Sequence, residues 1–151
     1  MAKRRVILNE DQLPDFGGGS SEGLFTPTLI DSGGGYTYTL SASFGMYKKI
    51  GKAVFFNVLI GISSTSGSLG GTLRVGGLPF TSESLTANYS NLTLGLINGT
   101  NWTTAQLDSV QSAIGSNQNE IRFTTKFSTA ELAAPSITAG ILRISGTYFT
   151  N

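Results

Sequence analysis

The side chains that could do acid–base chemistry in this chain are carboxylates, because it contains neither histidine nor cysteine. Those two residue types supply the commonest general base, the commonest metal ligand and the thiolate nucleophile. The carboxylates after residue 23 are scattered, at Asp31, Glu83, Asp108, Glu120 and Glu131. No two have a spacing that predicts the paired acid and base of a glycoside hydrolase. The sequence therefore predicts a protein that is not an enzyme, with no catalytic residue, cofactor or metal site.

Two glycine triplets, at residues 17–19 and 33–35, are the only candidates for a phosphate-binding loop. Neither is followed by a helical pattern or by the Gly-Lys-Ser/Thr ending that such loops use. The net charge of +1 gives no general attraction to nucleic acid. No apolar run is long enough to span a bilayer, and Val6-Ile7-Leu8 is too short for a signal-peptide core. We expect no nucleic-acid or membrane partner, and synthesis in a cytoplasm.

The stretch richest in binding chemistry is an Asn- and Thr-rich loop at residues 88–104. It combines two aromatic side chains, Tyr89 and Trp102, with amides that include Asn98 and Asn101. Flat aromatic faces can stack on a sugar ring while neighbouring amides bond its hydroxyl groups. This mixture favours a loop that contacts a host-surface glycan. The alternative is that Trp102, the single tryptophan, packs over one end of the core.

Strands are the elements that must position this loop. Only 13% of residues are charged and 20 are glycine, a composition that suits a β-protein with many turns. Residues 53–62 are apolar on both faces, which indicates a central strand covered on two sides. Further strands are predicted at residues 36–40, 72–76, 91–97, 121–127 and 141–149. Short strands with Gly- and Ser-rich joints predict an all-β fold, an antiparallel β-sandwich of jelly-roll-like type.

One segment predicts a helix. Residues 104–114 place Leu107, Val110 and Ile114 at i, i+3 and i+7, and Thr103 or Thr104 can serve as the N-cap. We expect a short surface helix there.

The N-terminal segment differs from the rest in composition. Residues 17–23 read as a Gly/Ser linker, which separates an arm at residues 1–16 from a β-domain at residues 24–151. The arm carries more large apolar side chains than solvated tails usually do. It is therefore expected to dock into a larger particle through Val6, Ile7, Leu8, Leu13 and Phe16. The alternative is a disordered tail.

The stretch LRVGGLPFTS, at residues 73–82, places three apolar residues where a strand should turn into solvent. The glycines let the strand leave the sheet, and Pro79 holds Leu78 extended. Leu78 and Phe80 are then expected to fold over the open end of the sandwich as a plug. The alternative is that they press on a neighbouring subunit.

Three blocks in order carry a resemblance to a known family: residues 45–60, 71–82 and 140–150. They resemble the terminal β-domains of bacteriophage tail fibres and head fibres, over about residues 26–151. The matching positions, which the resemblance implies are fold determinants, are Tyr47, Lys49, Ile50, Gly51, Val54, Leu73, Val75, Gly77, Leu78, Pro79, Phe80, Ile144, Ser145, Gly146 and Tyr148.

The resemblance implies a non-enzymatic virion component that is displayed on the particle surface as a homotrimer. Its arm would attach to capsid, tail or baseplate proteins. Two roles stay open: host-surface binding as a fibre tip or spike, and head decoration as a fibre or cement protein. Fibres of the family are typically long, whereas this chain has a short arm, which favours a small module on a larger particle. A free carbohydrate-binding module is the alternative, and it requires Tyr89 and Trp102 to be exposed.

Overall fold

The computed structural model describes residues 19–68, 70–84, 90–125, 130–137 and 139–151. Within these ranges the chain forms nine strands and one short helix, so the prediction of an all-β fold is confirmed. The elements are β1 (Ser20–Phe25), β2 (Thr28–Asp31), β3 (Tyr36–Ile50), β4 (Ala53–Gly67), β5 (Leu73–Gly76), β6 (Ser90–Ile97), α1 (Thr104–Ser109), β7 (Val110–Ile114), β8 (Ile121–Thr125) and β9 (Gly140–Phe149).

The strands form one antiparallel sheet that curls on itself. Their order is β1-β3-β4-β9-β6-β7-β8-β5-β2. The edge strands β1 and β2 are joined by Thr26 and Pro27 alone, so the two edges must lie close together. Strand β6 belongs to both halves, because its first residues pair with β7 and its later residues pair with β9. The two layers expected of a sandwich are thus halves of one continuous sheet.

The core lies between the inner faces of the two halves. In β4 the alternate residues Val54, Phe56, Val58 and Ile60 are buried, as the period of two predicts. The opposite half and β9 contribute Leu73, Val75, Ile114, Ile121, Phe123, Leu142, Ile144 and Tyr148. The outer side of β4 differs from the expectation of a strand covered on both faces, because Phe55 is 47% exposed.

The first strand occupies part of the segment that composition predicts as a linker. Ser20–Phe25 pairs with β3 along its whole length, so residues 20–23 are sheet. The pairing places Phe25 over Gly45, where a Cβ atom would come within 2.6 Å of the phenyl ring. Glycine at position 45 thus creates the space that Phe25 fills, a tertiary contact that local composition does not reveal.

The hairpin of β3 and β4 is longer than the predicted strands. Its connection is the two-residue turn Gly51-Lys52, between the paired residues Ile50 and Ala53. Gly51 has a φ of 57°, which suits the first central position of a type II′ turn. The Ile50 side chain is 49% exposed, so this position of the sequence block at residues 45–60 does not contribute to the core.

The predicted helix at residues 104–114 is correct in its first half and wrong in its second. Thr103 is the N-cap, and it forms a capping box with Gln106. The helix ends at Ser109, and Val110–Ile114 forms β7 between β6 and β8. Ser112 and Ile114 of this strand are buried. Backbone pairing on both sides outweighs the helical spacing, because the segment also fits a period of two.

The segment after β5 closes one end of the core. Gly77 turns the chain with a φ of 82°, and Leu78 is 5% exposed within the core, which confirms the expectation of a plug for Leu78. Phe80 packs edge-on against Tyr47, with ring centroids 5.2 Å apart. The ammonium group of Lys49 lies 5.5 Å from the centre of the Phe80 ring. This geometry places a cation over the aromatic face.

Candidate interaction surface

The outer side of β1, β3, β4 and β9 carries exposed large apolar side chains. Each strand sends alternate residues away from the core, and on these four strands many outward residues are aliphatic or aromatic. We call this surface the apolar face and define it by Leu24, Phe44, Met46, Ile50, Phe55, Ile141 and Phe149. Each of these side chains is at least 37% exposed, and Leu24 is 70% exposed.

The strand register makes the apolar face continuous. Leu24 lies opposite Met46, Phe44 lies opposite Leu59, and Ala53 lies between Ile50 and Phe149. Directly opposed residues of antiparallel strands have Cβ atoms about 5 Å apart. Leu24 and Met46 are therefore apolar neighbours across strands, as are Phe44 and Leu59. Met46 lines one depression with Phe44 and another with Phe55, which connects these apolar groups.

The dimensions of the outer side of the four strands follow from sheet geometry. Four strands span about 19 Å, and the eight steps from Ile141 to Phe149 span about 27 Å, which gives about 500 Å² in projection. Polar residues, among them Asn57, Ser145 and Thr147, occupy part of this area. Apolar patches of about 300–600 Å² on monomeric proteins are commonly functional.

Two shallow depressions lie on the apolar face, on either side of Met46. One is lined by Phe44, Leu59 and Arg143, and the other by Leu24, Lys48 and Phe55. Both are open to solvent. Their shape suits side chains that protrude from another surface better than it suits an enclosed small molecule.

Three charged side chains stand among the apolar ones. Glu22 lies on β1, directly across from Lys48 on β3, and Arg143 lies on β9, across from Leu59. None of the three forms an ion pair with another described residue. The face thus presents both signs of charge, each available to a partner.

The expected ligand contact by Trp102 requires a correction. Its side chain is 7% exposed and belongs to the core, and the indole N–H donates to the carbonyl oxygen of Ala133 at 2.8 Å. The ring also packs against Phe123, with centroids 6.1 Å apart. No indole face is open for a sugar to stack on, so the alternative position over one end of the core is the observed one. Tyr89 lies outside the described residues.

The two amides of the predicted contact loop remain at the surface. The side-chain oxygen of Asn98 accepts a hydrogen bond from the Ile141 amide at 2.6 Å, and that of Asn101 accepts one from the Ser136 amide at 3.2 Å. Both side chains are exposed. Their NH₂ groups are the donors that a ligand could use, and a ligand contact by these residues stays a prediction. The docking residues Val6, Ile7, Leu8, Leu13 and Phe16 lie outside the described residues.

The fold brings two carboxylates together that are distant in sequence. Arg74 bonds Glu120 at 3.1 Å and Glu131 at 3.0 Å, and Arg122 bonds the second oxygen of Glu131 at 3.0 Å. Burial favours a higher pKa for Glu131, but hydrogen bonds from Thr72 and Arg74 and the nearby guanidinium charges outweigh it and lower that pKa. A glycosidase needs one carboxyl group with a raised pKa as its acid. The arrangement of Glu131 is that of a structural ion pair.

The described residues contain no cluster of three or more potential metal ligands. Within the same part of the chain, no helix is long and apolar enough to cross a membrane.

Comparisons with known proteins give one informative likeness. No family model matches the sequence, and no curated protein matches it. Among solved structures, the crystal structure of the Dettilon tailspike protein is similar, with a TM-score of 0.64 and 21% identity. The similarity covers 87% of this chain and 24% of that chain, so the chain spans about a quarter of the tailspike's length. The β-fold described above is therefore similar to that of one segment of a phage tailspike.

Proposed function

We propose that this chain is a non-enzymatic structural component of a bacteriophage particle, displayed on the particle surface as an oligomeric β-domain. The observation that carries this proposal is the fold likeness to a segment of a phage tailspike, which extends over 87% of the chain. The three sequence blocks point to phage surface proteins independently of that likeness. Both lines of support indicate a protein of a phage particle. They differ on whether the similar protein is a fibre or a spike.

In this proposal the arm at residues 1–16 attaches the domain to another phage structural protein. A tail or baseplate protein is favoured over the capsid, because the similar solved structure is a tail protein. The expected assembly is a homotrimer, an expectation that rests on the family resemblance.

Host-glycan binding is the second part of the proposal, and it has fewer candidate contact residues than the sequence suggests. Burial of Trp102 removes one of the two aromatic side chains proposed to stack on a sugar. The remaining candidates are Asn98, Asn101 and Tyr89. The same burial removes the main support for a free carbohydrate-binding module.

The proposal is tested on purified particles of the source virus. Antibodies raised against the recombinant chain are expected to label the particle in negative-stain electron microscopy, at its tail. The matched control is recombinant chain without residues 1–16, which should block the antibody but fail to join particles when supplied in trans. Density-banded particles that lack the chain by mass spectrometry would overturn the proposal.

A further inference from the structure

We propose that the apolar face is the surface through which copies of this chain associate, so that its occupant is a second copy. This inference goes beyond the proposed function, because a face that packs on itself pairs two copies about a two-fold axis, whereas the expected homotrimer needs a different contact. The face spans β1, β3, β4 and β9 and lies on the outer side of the curled sheet, opposite the core.

The composition of the face is that of an interface core. Its exposed side chains include Phe44, Phe55 and Phe149 together with Met46, and Arg143 lies among them. Phe, Met and Arg are enriched at the centres of protein interfaces, whereas charged residues such as Glu and Lys are depleted there. Lys48 and Glu22 are the exceptions, and they lie toward the β1 edge. Glu22 and Lys48 thus lie toward β1 and Arg143 lies on β9, and the apolar residues between these charges resemble an interface core.

The area of the face fits a copy of itself. A standard interface buries about 800 Å² on each partner, which is the same order as the outer side of the four strands once side-chain relief is added to its projection. Sheets pack on sheets at about 10 Å separation. Self-association through the apolar face needs no other segment of the chain to complete the contact surface.

Charge also permits a second copy. The net charge of +1 gives no long-range repulsion between identical chains. Glu22 lies on edge strand β1, whereas Arg143 lies on β9, on the far side of β3 and β4. A copy turned over about an axis parallel to the strands exchanges the β1 side with the β9 side. In that orientation the Glu22 side of one copy approaches the Arg143 side of the other, so a single sequence provides both charges.

The first experiment compares the full chain with two variants by sedimentation equilibrium. Phe55→Glu places a charge at the centre of the face, and Leu107→Glu places the same charge on another exposed apolar residue, on α1. We expect the wild type and Leu107→Glu to sediment as the same multiple of the 15.9 kDa chain. Phe55→Glu is expected to associate about 100-fold more weakly, as interface centres do when charged. Equal weakening in both variants, or none in Phe55→Glu, overturns the proposal.

A second measurement does not depend on Phe55→Glu folding. The chain has no cysteine, so Asn57→Cys adds a single thiol among the apolar side chains, and Leu107→Cys adds a control thiol on α1. Maleimide labelling of Cys at position 57 should slow as protein concentration rises to about 10 µM or above, while labelling at position 107 stays constant.

The other occupants give different results. Protection at position 57 that is independent of concentration, and lost on removal of residues 1–16, would assign the face to the arm and overturn the proposal. A wild-type chain that stays monomeric at about 50 µM, yet joins particles, would assign the face to another phage protein. That second outcome overturns the self-association while leaving the proposed virion role standing, so the two proposals fail separately.

Discussion

The hydroxyl group of Tyr148 bonds both backbone polar groups of Phe80. It donates to the Phe80 carbonyl oxygen at 3.0 Å and accepts from the Phe80 N–H at 3.3 Å. Tyr148 is fully buried on β9, and its ring packs edge-on against Phe56. The Tyr148 side chain therefore links β9 to the segment after β5, which closes the end of the core.

Replacement of Tyr148 by Phe should destabilise the domain without changing its shape. The carbonyl and N–H of Phe80 each lose a partner, and a buried polar group left unsatisfied costs about 1–3 kcal/mol. The free energy of unfolding in urea should fall by this order. Tyr36→Phe is the control, since the Tyr36 hydroxyl group makes no hydrogen bond with the described residues, and it should change stability by less than about 0.5 kcal/mol. Equal effects of the two substitutions would contradict the role of the Tyr148 hydroxyl.

Alkaline pH should destabilise the wild type more than Tyr148→Phe. Burial raises the pKa of Tyr148 from 10.0 to about 12, an effect only partly offset by its hydrogen bond to the Phe80 backbone. Between these values the folded state keeps a proton that the unfolded state has lost, so stability falls as pH rises from 10 to 12. Burial also raises the pKa of Tyr38, which both proteins retain. The loss of stability from pH 9 to 11, measured by urea titration, should thus be smaller in Tyr148→Phe; parallel curves would exclude this explanation.

Acid should weaken the domain through Glu131. Its pKa is lowered in the folded state, so the ion pairs contribute fully above the ordinary value of 4.5 and are lost as pH falls through the lower folded value. Glu131→Gln should cost about 1–3 kcal/mol at neutral pH, because the amide carries no charge and replaces one of the two oxygens that accept from Arg74 and Arg122 with an NH₂ donor. It should also flatten the decline of the melting temperature below pH 4.5. Asp108→Asn, at an exposed site on α1, serves as the control and should keep the wild-type decline.

Trp102 should behave as a core residue. It is the single tryptophan, so the intrinsic emission of the folded protein reports on its environment and should shift to longer wavelength on unfolding. Truncation to Ala should cost about 3–5 kcal/mol, the range for large buried aromatic residues. Asn101→Ala, one position away at the surface, should cost less than about 1 kcal/mol. A Trp102→Ala protein that keeps its melting temperature and loses host adsorption would restore the ligand-contact interpretation.

Deletion of residues 1–16 should separate attachment from folding. We expect the truncated chain to keep the far-UV spectrum and melting temperature of the full chain, because β1 begins at Ser20. It should fail to join virus particles when supplied in trans. Incorporation at wild-type occupancy would contradict the assignment of the arm as the anchor.

Strand periodicity in the sequence predicted the inner side of the fold well, because burial and a period of two coincide there. Residues 53–62 illustrate this: the side chains predicted to share one face are those that fill the core. Residues 110–114 illustrate the limit. Val110, Ser112 and Ile114 fit a strand, whereas Leu107, Val110 and Ile114 fit a helix, and only the pairing with β6 and β8 decides between them.

The outer side was harder to predict, because a sequence does not state what covers a surface. Phe55 and Leu59 indicated that β4 is apolar on its second face, and the sequence-based expectation was that this face is covered within the chain. A second signal was present in β3, where Phe44, Met46 and Ile50 alternate with residues that point inward. Two adjacent strands with apolar outer sides indicate a surface that binds another molecule. The position of Trp102, in contrast, depends on tertiary contacts with Phe123 and Ala133 that no local pattern encodes.

The place of β9 in the sheet has a consequence for the order of events during synthesis. This strand comes late in the chain, yet it lies between β4 and β6, and Tyr148 pairs with Val54. A nascent chain that has not reached residue 149 therefore lacks the strand that joins the two halves. Contacts between residues so distant in sequence slow folding, and unpaired strands on a nascent chain are prone to aggregate. The apolar face is thus complete only after nearly the whole domain has been synthesised. Copies can therefore associate through this face only after each one has folded.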